Sequence, residues 1–455
     1  MAGKGNRMAL DPQVVQDLLR TARQRGATAG DALLVDNASF EVQVRLGEVE
    51  KVQQSHQKRL GLRLFFGQRS ATTSTSDLSE ASLRQLLDDT CALAQAMAAD
   101  PQAGLPDPEE TITSIPDLVL WDDAIAQLPV EERTVMAREA ERAALDYDSR
   151  ITNSEGGEYS SSQSHVLYAN SHGFVGHYQA GTVGLSVSPI ASEAGGMQSD
   201  YWFATGRKLS QLQAPAAIGQ EAARRTLRRL GARKVATQKV PVVFDPSTAA
   251  SLLGHVCSAV SGSALYRGAS FLLNCLDTHI APEAVTIYDD GTLPGALGSK
   301  PFDGEGIPTR RTTVVEQGRL RSYLLDTYTA RKLGQRSTGN AARSAGESPS
   351  VSPTNFYLAP GAYTPEEIIA SVPCGLYVTS LIGFGVNQVT GDYSRGAAGL
   401  WIENGELTYP VEEITIAGNL RQMLAHIEMI GNDLDMRRRI TAPTLKIREM
   451  TVAGN

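Results

Sequence analysis

The sequence has few residues that could form a covalent or metal framework. Among its 455 residues are 4 cysteines and 7 histidines. The cysteines are far apart in the chain, at Cys91, Cys257, Cys275 and Cys374. Without a CxxC pair, they predict free structural thiols in a reducing compartment rather than a disulfide framework.

Long apolar runs are also missing. No stretch of about 18 apolar residues is present, which argues against a membrane-spanning helix. Residues 1–7 are polar, and no apolar segment of the kind found in signal peptides follows them. We therefore expect a cytoplasmic protein that does not associate with membranes.

The chain contains modest numbers of both basic and acidic residues. Lys and Arg number 42 and Asp and Glu 50, so the net charge is −8. An acidic protein is not drawn to nucleic acid by bulk electrostatics, and we expect no direct nucleic-acid binding. Hydrophobic residues make up 42% of the chain, too many for a disordered protein. At about 150 residues per domain, the length predicts about three domains.

The residue pattern predicts an α+β fold with two smaller N-terminal units. The first unit, residues 9–100, reads as a helix from Asp11-Pro12, an antiparallel meander and a second helix from about Asp77. A linker rich in Pro, Asp and Glu follows over residues 100–116. The middle α+β unit, residues 116–235, is predicted to contain a helix over 130–146, strands over 150–205 and a basic helix over 215–230.

The third unit, residues 238–455, is predicted to be a larger, mainly antiparallel, strand-rich domain. Its helices are expected over residues 247–264, after the capping box at Thr364, and over residues 420–430. Asn404-Gly405 is the strongest hairpin signal, because both residues tolerate the positive φ of a type I′ turn. A further turn is predicted over residues 316–319.

Familiar cofactor and nucleophile motifs are absent from the sequence. It contains no GxxxxGK[ST], no GxGxxG after a strand and no GxSxG. The SxxK match of Ser55 and Lys58 lies in the predicted meander rather than at a helix start. His172 and His177 are five residues apart, a spacing that places them on opposite faces of a strand.

Clusters of arginine are the other conspicuous charged feature. One of them lies on and just after the basic helix, at Arg224, Arg225, Arg228, Arg229, Arg233 and Lys234, and another is Arg437-Arg438-Arg439. No aromatic residues alternate with these arginines, so base stacking has no support. We interpret both clusters as a solvated face or as an interface that meets acidic residues, in preference to a phosphate-binding site.

His255 occupies the most informative position in the helix predicted over residues 247–264. A helical zinc peptidase needs a histidine, an adjacent glutamate as general base and a second histidine. Here Val256 follows His255 and Val260 lies five residues on, and valine neither takes a proton nor binds metal. Spacing and chemistry alone therefore predict a packed or hydrogen-bonded histidine, with no complete catalytic or metal site.

Seven short motifs in the second half of the chain resemble those of a known family. They are SGSALYR (261–267), DDGTLP (289–294), FDGEG (302–306), LDTYTAR (325–331), STGN (337–340), GVNQVTGDYSRG (385–396) and YPVEEITIAGN (409–419). These motifs resemble the TldD/PmbA family, and the first of them resembles its PmbA branch, also called TldE. The resemblance covers nearly the whole chain and is most specific after about residue 240.

This resemblance implies an ATP-independent, zinc-dependent peptidase made of two homologous subunits. The family is associated with maturation of peptide antibiotics, with degradation of an antitoxin and, by name, with modulation of DNA gyrase. Its TldD branch carries a His-Glu-xxx-His helix and a later cysteine ligand. Carried over, the first histidine falls on His255, the glutamate on Val256 and the second histidine on Val260, and no cysteine follows Cys374.

We therefore expect a PmbA/TldE-like subunit that lacks a catalytic site and a cofactor of its own. Zinc would reside in a TldD-like homologous partner subunit. This chain would supply part of a chamber and bind an extended polypeptide, for which strand addition is a suitable mode. Whether the isolated chain forms homodimers is left open by the sequence, as are the natural substrate and the stoichiometry.

The glycine-rich segment after residue 383 is the candidate substrate-binding region. Its candidate residues are Gly383, Gly385, Asn387, Gly391 and Asp392. Tight turns between strands explain these residues equally well.

Two alternative functions remain on the sequence alone. One is an independently active hydrolase that uses Ser55 with Lys58, or a serine within residues 258–263. The other is a non-enzymatic modulator of a nucleic-acid enzyme such as DNA gyrase.

Overall fold

The computed structural model describes residues 11–454. The interpretation of residues 1–7 and the first two residues of the predicted N-terminal unit lie outside this range. The helices are α1 Pro12–Gln24, α2 Glu80–Ala96, α3 Asp123–Gln127, α4 Val130–Leu145, α5 Pro215–Leu227, α6 Pro246–Ala259, α7 Gly262–Tyr266, α8 Thr327–Lys332, α9 Pro365–Ala370 and α10 Leu420–Ala425.

The strands of the N-terminal half are β1 Ala29–Arg45, β2 Glu48–Phe66, β3 Arg69–Thr75, β4 Ile151–Asn170, β5 Val175–Glu193, β6 Gly196–Ser199 and β7 Trp202–Gly206. Those of the C-terminal half are β8 Gln238–Phe244, β9 Ile287–Asp290, β10 Arg311–Glu316, β11 Arg319–Leu320, β12 Ala341–Ala342, β13 Ser350–Val351, β14 Phe356–Leu358, β15 Cys374–Ile382, β16 Asp392–Glu403, β17 Glu406–Asn419, β18 Ile427–Ile430, β19 Ile440–Thr441 and β20 Leu445–Ala453. No helix within the described range is long and apolar enough to cross a membrane.

The strands of the first two predicted units form one antiparallel sheet. Its order is β3-β2-β1-β4-β5-β6, and β7 also pairs with β5. β1 and β4 pair continuously from Asp31 opposite Asn170 to Val44 opposite Gly157. Leucines of β2 and α2 form the core at one end of this sheet. At the other end α4 and α5 pack closely, and a Cβ at Gly219 of α5 would lie 2.2 Å from the carbonyl oxygen of Ala140 of α4.

The C-terminal half contains two larger sheets. One has the order β11-β10-β9-β14-β19, and the other the order β17-β16-β15-β8-β20-β18. Because β17 also pairs with β20, five strands of the second sheet close into a ring. The β8–β15 and β14–β19 pairs are parallel, and the other pairs are antiparallel. The predicted α+β class with a strand-rich, mainly antiparallel C-terminal domain is therefore confirmed.

Short-range signals located several turns and helix starts correctly. Asn404 and Gly405 have φ values of 54° and 81° and join β16 to β17. Thr364 and Glu367 form the reciprocal capping box at the start of α9. Asp11 accepts a hydrogen bond from the backbone nitrogen of Gln13 and caps α1. All four cysteines are free thiols.

Two helix predictions in the C-terminal half were wrong in extent. The predicted helix over residues 420–430 ends at Ala425, because residues 427–430 form β18 and pair with β20. The predicted helix over residues 247–264 ends at Ala259, with Val260 as its C-cap. The chain then turns, since the backbone nitrogen of Gly262 donates to the carbonyl oxygen of Leu324. In both cases long-range backbone pairing outweighs local helix propensity.

Two further boundaries differ by a few residues. α2 begins at Glu80 rather than near Asp77, because Ser79 is its N-cap and Asp77 binds the Ser79 and Ser82 side chains instead. The basic helix α5 ends at Leu227 rather than at residue 230, because Arg228 forms its C-cap. Ends of helices are the boundaries that local patterns define least well.

Candidate functional site

Helix α6 is held against the ring of strands by its N-terminal cap. Asp245, which follows β8, accepts a hydrogen bond from the backbone nitrogen of Thr248 at 2.9 Å. The Thr248 hydroxyl donates to the carbonyl oxygen of Val378 in β15 at 3.0 Å. Ser251 and His255 follow on α6, one and two turns after Ser247, so these side chains share one helix face.

His255 is partly buried and already has a hydrogen-bond partner. Its Nδ1 lies 3.2 Å from Nε2 of Gln388, and its ring packs edge-on against Tyr393, with centroids 6.0 Å apart. Its Nε2 is buried without a hydrogen-bond partner among the described residues. Burial, together with the nearby charge of Arg395, lowers the pKa of His255 below its ordinary value of 6.5. The imidazole is therefore neutral at physiological pH.

The residues around His255 do not fit a zinc ion. Val256 and Val260 are completely buried in the apolar core of the C-terminal domain. Within residues 11–454, no group of three or more His, Cys, Asp and Glu side chains is placed to hold a metal ion. A zinc site needs three or four nitrogen, sulfur or oxygen ligands, and here a single imidazole faces an amide and a phenol ring.

A polar cavity of about 390 Å³ opens beside the first turns of α6. Ser247, Thr248 and Ser251 line it, and Nη1 of Arg395 donates to the Ser251 hydroxyl at 2.9 Å. Its charged lining residues are Arg225, Arg229, Arg395, Arg438, Glu155 and Asp200. With four cations against two carboxylates, the cavity favours ligands that carry negative charge.

Two arginines of the cluster at the end of α5, Arg225 and Arg229, line this cavity, whereas Arg224 is exposed and pairs with Glu221. Arg225 is buried, with Nε 3.4 Å from Asp200 and Nη2 3.7 Å from Asp245. Its guanidinium also lies over the Trp202 ring, 5.2 Å from the centroid. Of the two interpretations offered by the sequence, the interface that meets acidic residues is therefore the one that describes Arg225.

One edge of β15 lies open along the same cavity. β15 pairs with β8 only as far as Val378, although the strand continues to Ile382. Thr379, Ser380 and Leu381 line the cavity. On that side, residues 379–382 pair with no strand in the described part of the chain. An unpaired strand edge offers backbone donors and acceptors to an extended peptide.

The glycine-rich candidate segment is the loop between β15 and β16. The Gly385 carbonyl oxygen accepts from the Ser394 nitrogen at 2.7 Å, and a Cβ at Gly385 would lie 1.9 Å from the Ser394 oxygen. The Asn387 carbonyl oxygen accepts from Gly391, which has a φ of 83°. Asp392 accepts from the Thr390 hydroxyl, which lowers its pKa. These contacts build a turn, and Gly383 alone has open space around its Cα.

The structure brings two sequence candidates together and leaves others apart. Gln388 in the loop contacts His255, so the loop and the degenerate motif form one site. Ser55 and Lys58 lie on β2, where their odd spacing places them on opposite faces, and Lys58 pairs with Asp36 at 3.2 Å. The Ser258 hydroxyl donates to the carbonyl oxygen of Gly254. His172 precedes β5 and His177 lies on it.

Sequence reasoning missed the apolar surface of the same loop. Ile382 at the end of β15 and Phe384 and Val389 of the loop are exposed, and the Phe384 side chain is fully so. The alternation of Ile382 and Phe384 around Gly383 could have indicated a strand that runs past the core. The cavity as a whole offered no such signal, because its lining residues come from eight separate segments of the chain.

Comparison with known proteins identifies relatives along the whole chain. Three profiles of one family match: PmbA/TldA metallopeptidase domain 1 at residues 30–94, its central domain at 123–230 and its C-terminal domain at 237–454. Metalloprotease PmbA of Escherichia coli O157:H7 is 38% identical over 445 residues, which cover 97% of this chain and 96% of that protein.

Solved structures show the same fold. A putative modulator of DNA gyrase from Bacteroides thetaiotaomicron superposes with a TM-score of 0.90 at 30% identity, over 97% of this chain and 98% of that one. TldE from Thermococcus kodakarensis superposes with a TM-score of 0.85 at 20% identity, over 97% and 100% of the two chains.

Proposed function

Because the chain belongs to the PmbA/TldD family of metallopeptidases, we propose that it is the PmbA-type, or TldE-type, subunit of a two-protein peptidase. In this proposal a TldD-like homologous subunit carries the zinc ion and the catalytic glutamate. The present chain holds no metal and contributes one wall of the chamber and part of the peptide-binding surface.

The environment of His255 carries this proposal. At the positions where the TldD branch has a glutamate and a second histidine, this chain has Val256 and Val260, and both are packed in the core. Introducing ionised groups there would require burying charges without partners, which costs several kcal/mol. His255 itself is bonded to Gln388 and is neutral. These features support a subunit without a catalytic centre of its own.

The open edge of β15 supports a role in binding substrate. An extended polypeptide that paired with residues 379–382 would run along the cavity lined by Arg229, Arg395 and Arg438. Backbone pairing is independent of sequence, and the arginines would favour acidic side chains or a terminal carboxylate. We therefore propose unfolded, acidic polypeptide segments as the preferred substrates.

The exposed apolar residues of the β15–β16 loop support a contact with the partner subunit. Ile382 ends β15, and Phe384 and Val389 project from the loop that follows, which contacts α6 through Gln388. Exposed apolar groups of this kind are enriched at interfaces. We propose that they dock on the TldD-like subunit and so place the open edge of β15 at the junction of the two chains. A reducing, cytoplasmic setting suits the four free thiols.

A mixing experiment tests the proposal. The purified chain, a purified TldD-like partner and their mixture are assayed with an unfolded acidic polypeptide, and zinc is measured in each preparation. We expect cleavage in the presence of both chains, with zinc bound by the partner. His255→Ala in this chain should leave cleavage largely intact, whereas loss of the partner's catalytic glutamate should abolish it.

Two results would contradict the proposal. Stoichiometric zinc in the isolated chain, with cleavage that a chelator stops, would show that it has a metal centre of its own. Chelator-resistant cleavage by the isolated chain would instead show a hydrolase with a side-chain nucleophile. Arg229→Met tests the substrate site separately, since it should raise KM for an acidic polypeptide more than for a neutral one. Arg84→Met, at an exposed position on α2, serves as its matched control.

A further inference from the structure

A second cavity, also of about 390 Å³, lies between the seven-stranded sheet and the C-terminal domain. Its charged lining residues are Arg207, Lys300, Arg343, Arg439 and Asp303. Four cations thus share a small space with one carboxylate. None of these residues belongs to the candidate site beside α6.

Two of the cations are buried against neutral groups. Arg207 is 5% exposed and donates to the carbonyl oxygens of Gly181 at 2.9 Å and Leu297 at 2.6 Å. Lys300 donates to the carbonyl oxygen of Ala341 at 2.8 Å. Neither has a carboxylate within 4 Å in residues 11–454. Burial lowers the pKa of both groups, and with the repulsion of Arg439 it brings that of Arg207 to about 10. The Arg207 guanidinium therefore remains charged at neutral pH.

Arg343 adds donors that have no partner. Its side chain is fully buried, and its Nη1 donates to Oδ1 of Asp31 at 2.6 Å. Its Nε and Nη2 have no hydrogen-bond acceptor among the described residues, although the residue lines the cavity. Buried donors that lack an acceptor are costly, and in native proteins they are uncommon.

Asp303 does not satisfy these cations at contact distance. One of its oxygens accepts from the backbone nitrogens of Glu305 at 2.8 Å and Ile307 at 3.1 Å. The other accepts from the backbone nitrogen of Ala341 at 3.0 Å. The carboxylate therefore organises the loop around it, and the cationic side of the cavity is left for another anion.

We propose that this cavity binds a small, multiply charged oxyanion of the phosphate or carboxylate type through Arg207, Lys300, Arg343 and Arg439. Guanidinium groups suit such ligands because they donate two parallel hydrogen bonds to planar or tetrahedral oxyanions. At about 30 Å³ per water-sized group, the volume accommodates an anion with an attached organic group. Tyr178 and Phe302 line the less polar part, where such a group would lie. Arg439 is exposed and marks the entrance.

Thermal unfolding and calorimetric titration of the full chain test this site. The probes are inorganic phosphate, pyrophosphate and citrate, each compared with sodium chloride at equal ionic strength. We expect at least one oxyanion to raise Tm and to bind with a stoichiometry of one. Stronger binding of the phosphates would identify a phosphoryl ligand, and stronger binding of citrate a carboxylate ligand.

Variants of the cavity make the test specific. Arg439→Met should weaken oxyanion binding about ten-fold or more, because a charge-assisted hydrogen bond is lost at the exposed entrance. Lys300→Met should abolish the response. Arg84→Met, on the surface of α2, should leave it unchanged. The proposal fails if no oxyanion exceeds chloride, or if Arg439→Met and Arg84→Met have equal effects. Should Lys300→Met not fold, Arg439→Met decides the outcome alone.

Discussion

The side-chain amide nitrogen of Gln388 lies 3.2 Å from Nδ1 of His255. This contact joins the helix that carries the remnant of the family's metal motif to the loop between β15 and β16. With Nδ1 as the acceptor, the imidazole proton resides on Nε2, which is buried without a partner among the described residues. His255 is thus held as a neutral acceptor that positions the loop.

The first prediction is that His255 makes the protein less stable in mild acid. Its pKa in the folded protein is lowered by burial, so below about pH 6.5 the unfolded chain binds more protons than the folded one. The free energy of unfolding therefore decreases as the pH falls through the pKa of His255 in the unfolded chain. It stops decreasing once the pH is below the pKa of His255 in the folded protein. His255→Gln removes this titration. We expect its free energy of unfolding, relative to that of the wild type, to rise as the pH falls from about 7 to about 5.

Urea unfolding at a series of pH values measures this difference. His172→Gln provides the control, because His172 is exposed in the turn before β5. Parallel pH profiles for the wild type and His255→Gln would show that the histidine is not held in the neutral form.

A second prediction concerns the apolar loop. Phe384→Ser should leave the free energy of unfolding of the isolated chain within about 0.5 kcal/mol, because the side chain is fully exposed. It should weaken association with a TldD-like subunit about ten-fold or more, as expected for an aromatic residue at the centre of an interface. Met197→Ser, at an exposed position on β6, is the matched control for both measurements. Equal affinity of the two variants in a titration would remove the loop from the interface.

The parts of the fold that local chemistry specifies were predictable. Asn404-Gly405 and the Thr364 capping box depend on neighbouring residues alone, and both formed as expected. β18 depends instead on β20, which follows after an intervening segment, and a helical pattern at residues 427–430 gave no hint of that pairing. The pairing of Asp31 with Asn170 across the large sheet is equally non-local.

The candidate site, too, was predictable only in the part whose residues lie close together in the sequence. The motif comparison led to His255, Val256 and Val260 because these residues lie within six consecutive positions of the chain. It could not find the cavity, because Arg225 and Arg395 approach α6 from distant segments. The open edge of β15 arises from the difference in length between two parallel neighbours, which no single strand reveals.

A third prediction addresses the buried ion pairs of Asp31, which link β1 to β2 within the large sheet and to Arg343 of the C-terminal domain. Asp31 is fully buried and accepts from Nε of Arg63 at 3.1 Å and from Nη1 of Arg343 at 2.6 Å. Asp31→Asn would leave two buried guanidinium groups with too little negative charge. We expect a loss of about 3–5 kcal/mol in the free energy of unfolding, measured with urea.

Glu80→Gln is the surface control for this variant. Glu80 pairs with Arg84 on the exposed side of α2, and its loss should cost less than about 1 kcal/mol. A similarly small effect for Asp31→Asn would show that the two arginines are hydrated rather than buried.

The last prediction compares two glycines close to His255. Gly254 lies inside α6, and a Cβ there would meet no atom within 4 Å outside the helix's own backbone. Gly254→Ala should therefore stabilise the protein by about 0.5–1 kcal/mol, because alanine favours the helix and loses less entropy on folding. A Cβ at Gly385 would lie 1.9 Å from the carbonyl oxygen of Ser394. Gly385→Ala should therefore displace the loop and destabilise the protein by about 1–3 kcal/mol.

The two variants are expected to change the free energy of unfolding in opposite directions, and this makes their comparison decisive. Both variants add a single methyl group, so composition and unfolded-state entropy change alike, and only the local space differs. If urea unfolding showed Gly385→Ala to be as stable as the wild type, the carbonyl oxygen of Ser394 could not lie as close to Gly385 as it does in the structure. The loop would then be free to move away from α6, and the contact of Gln388 with His255 would not be a fixed feature of the site.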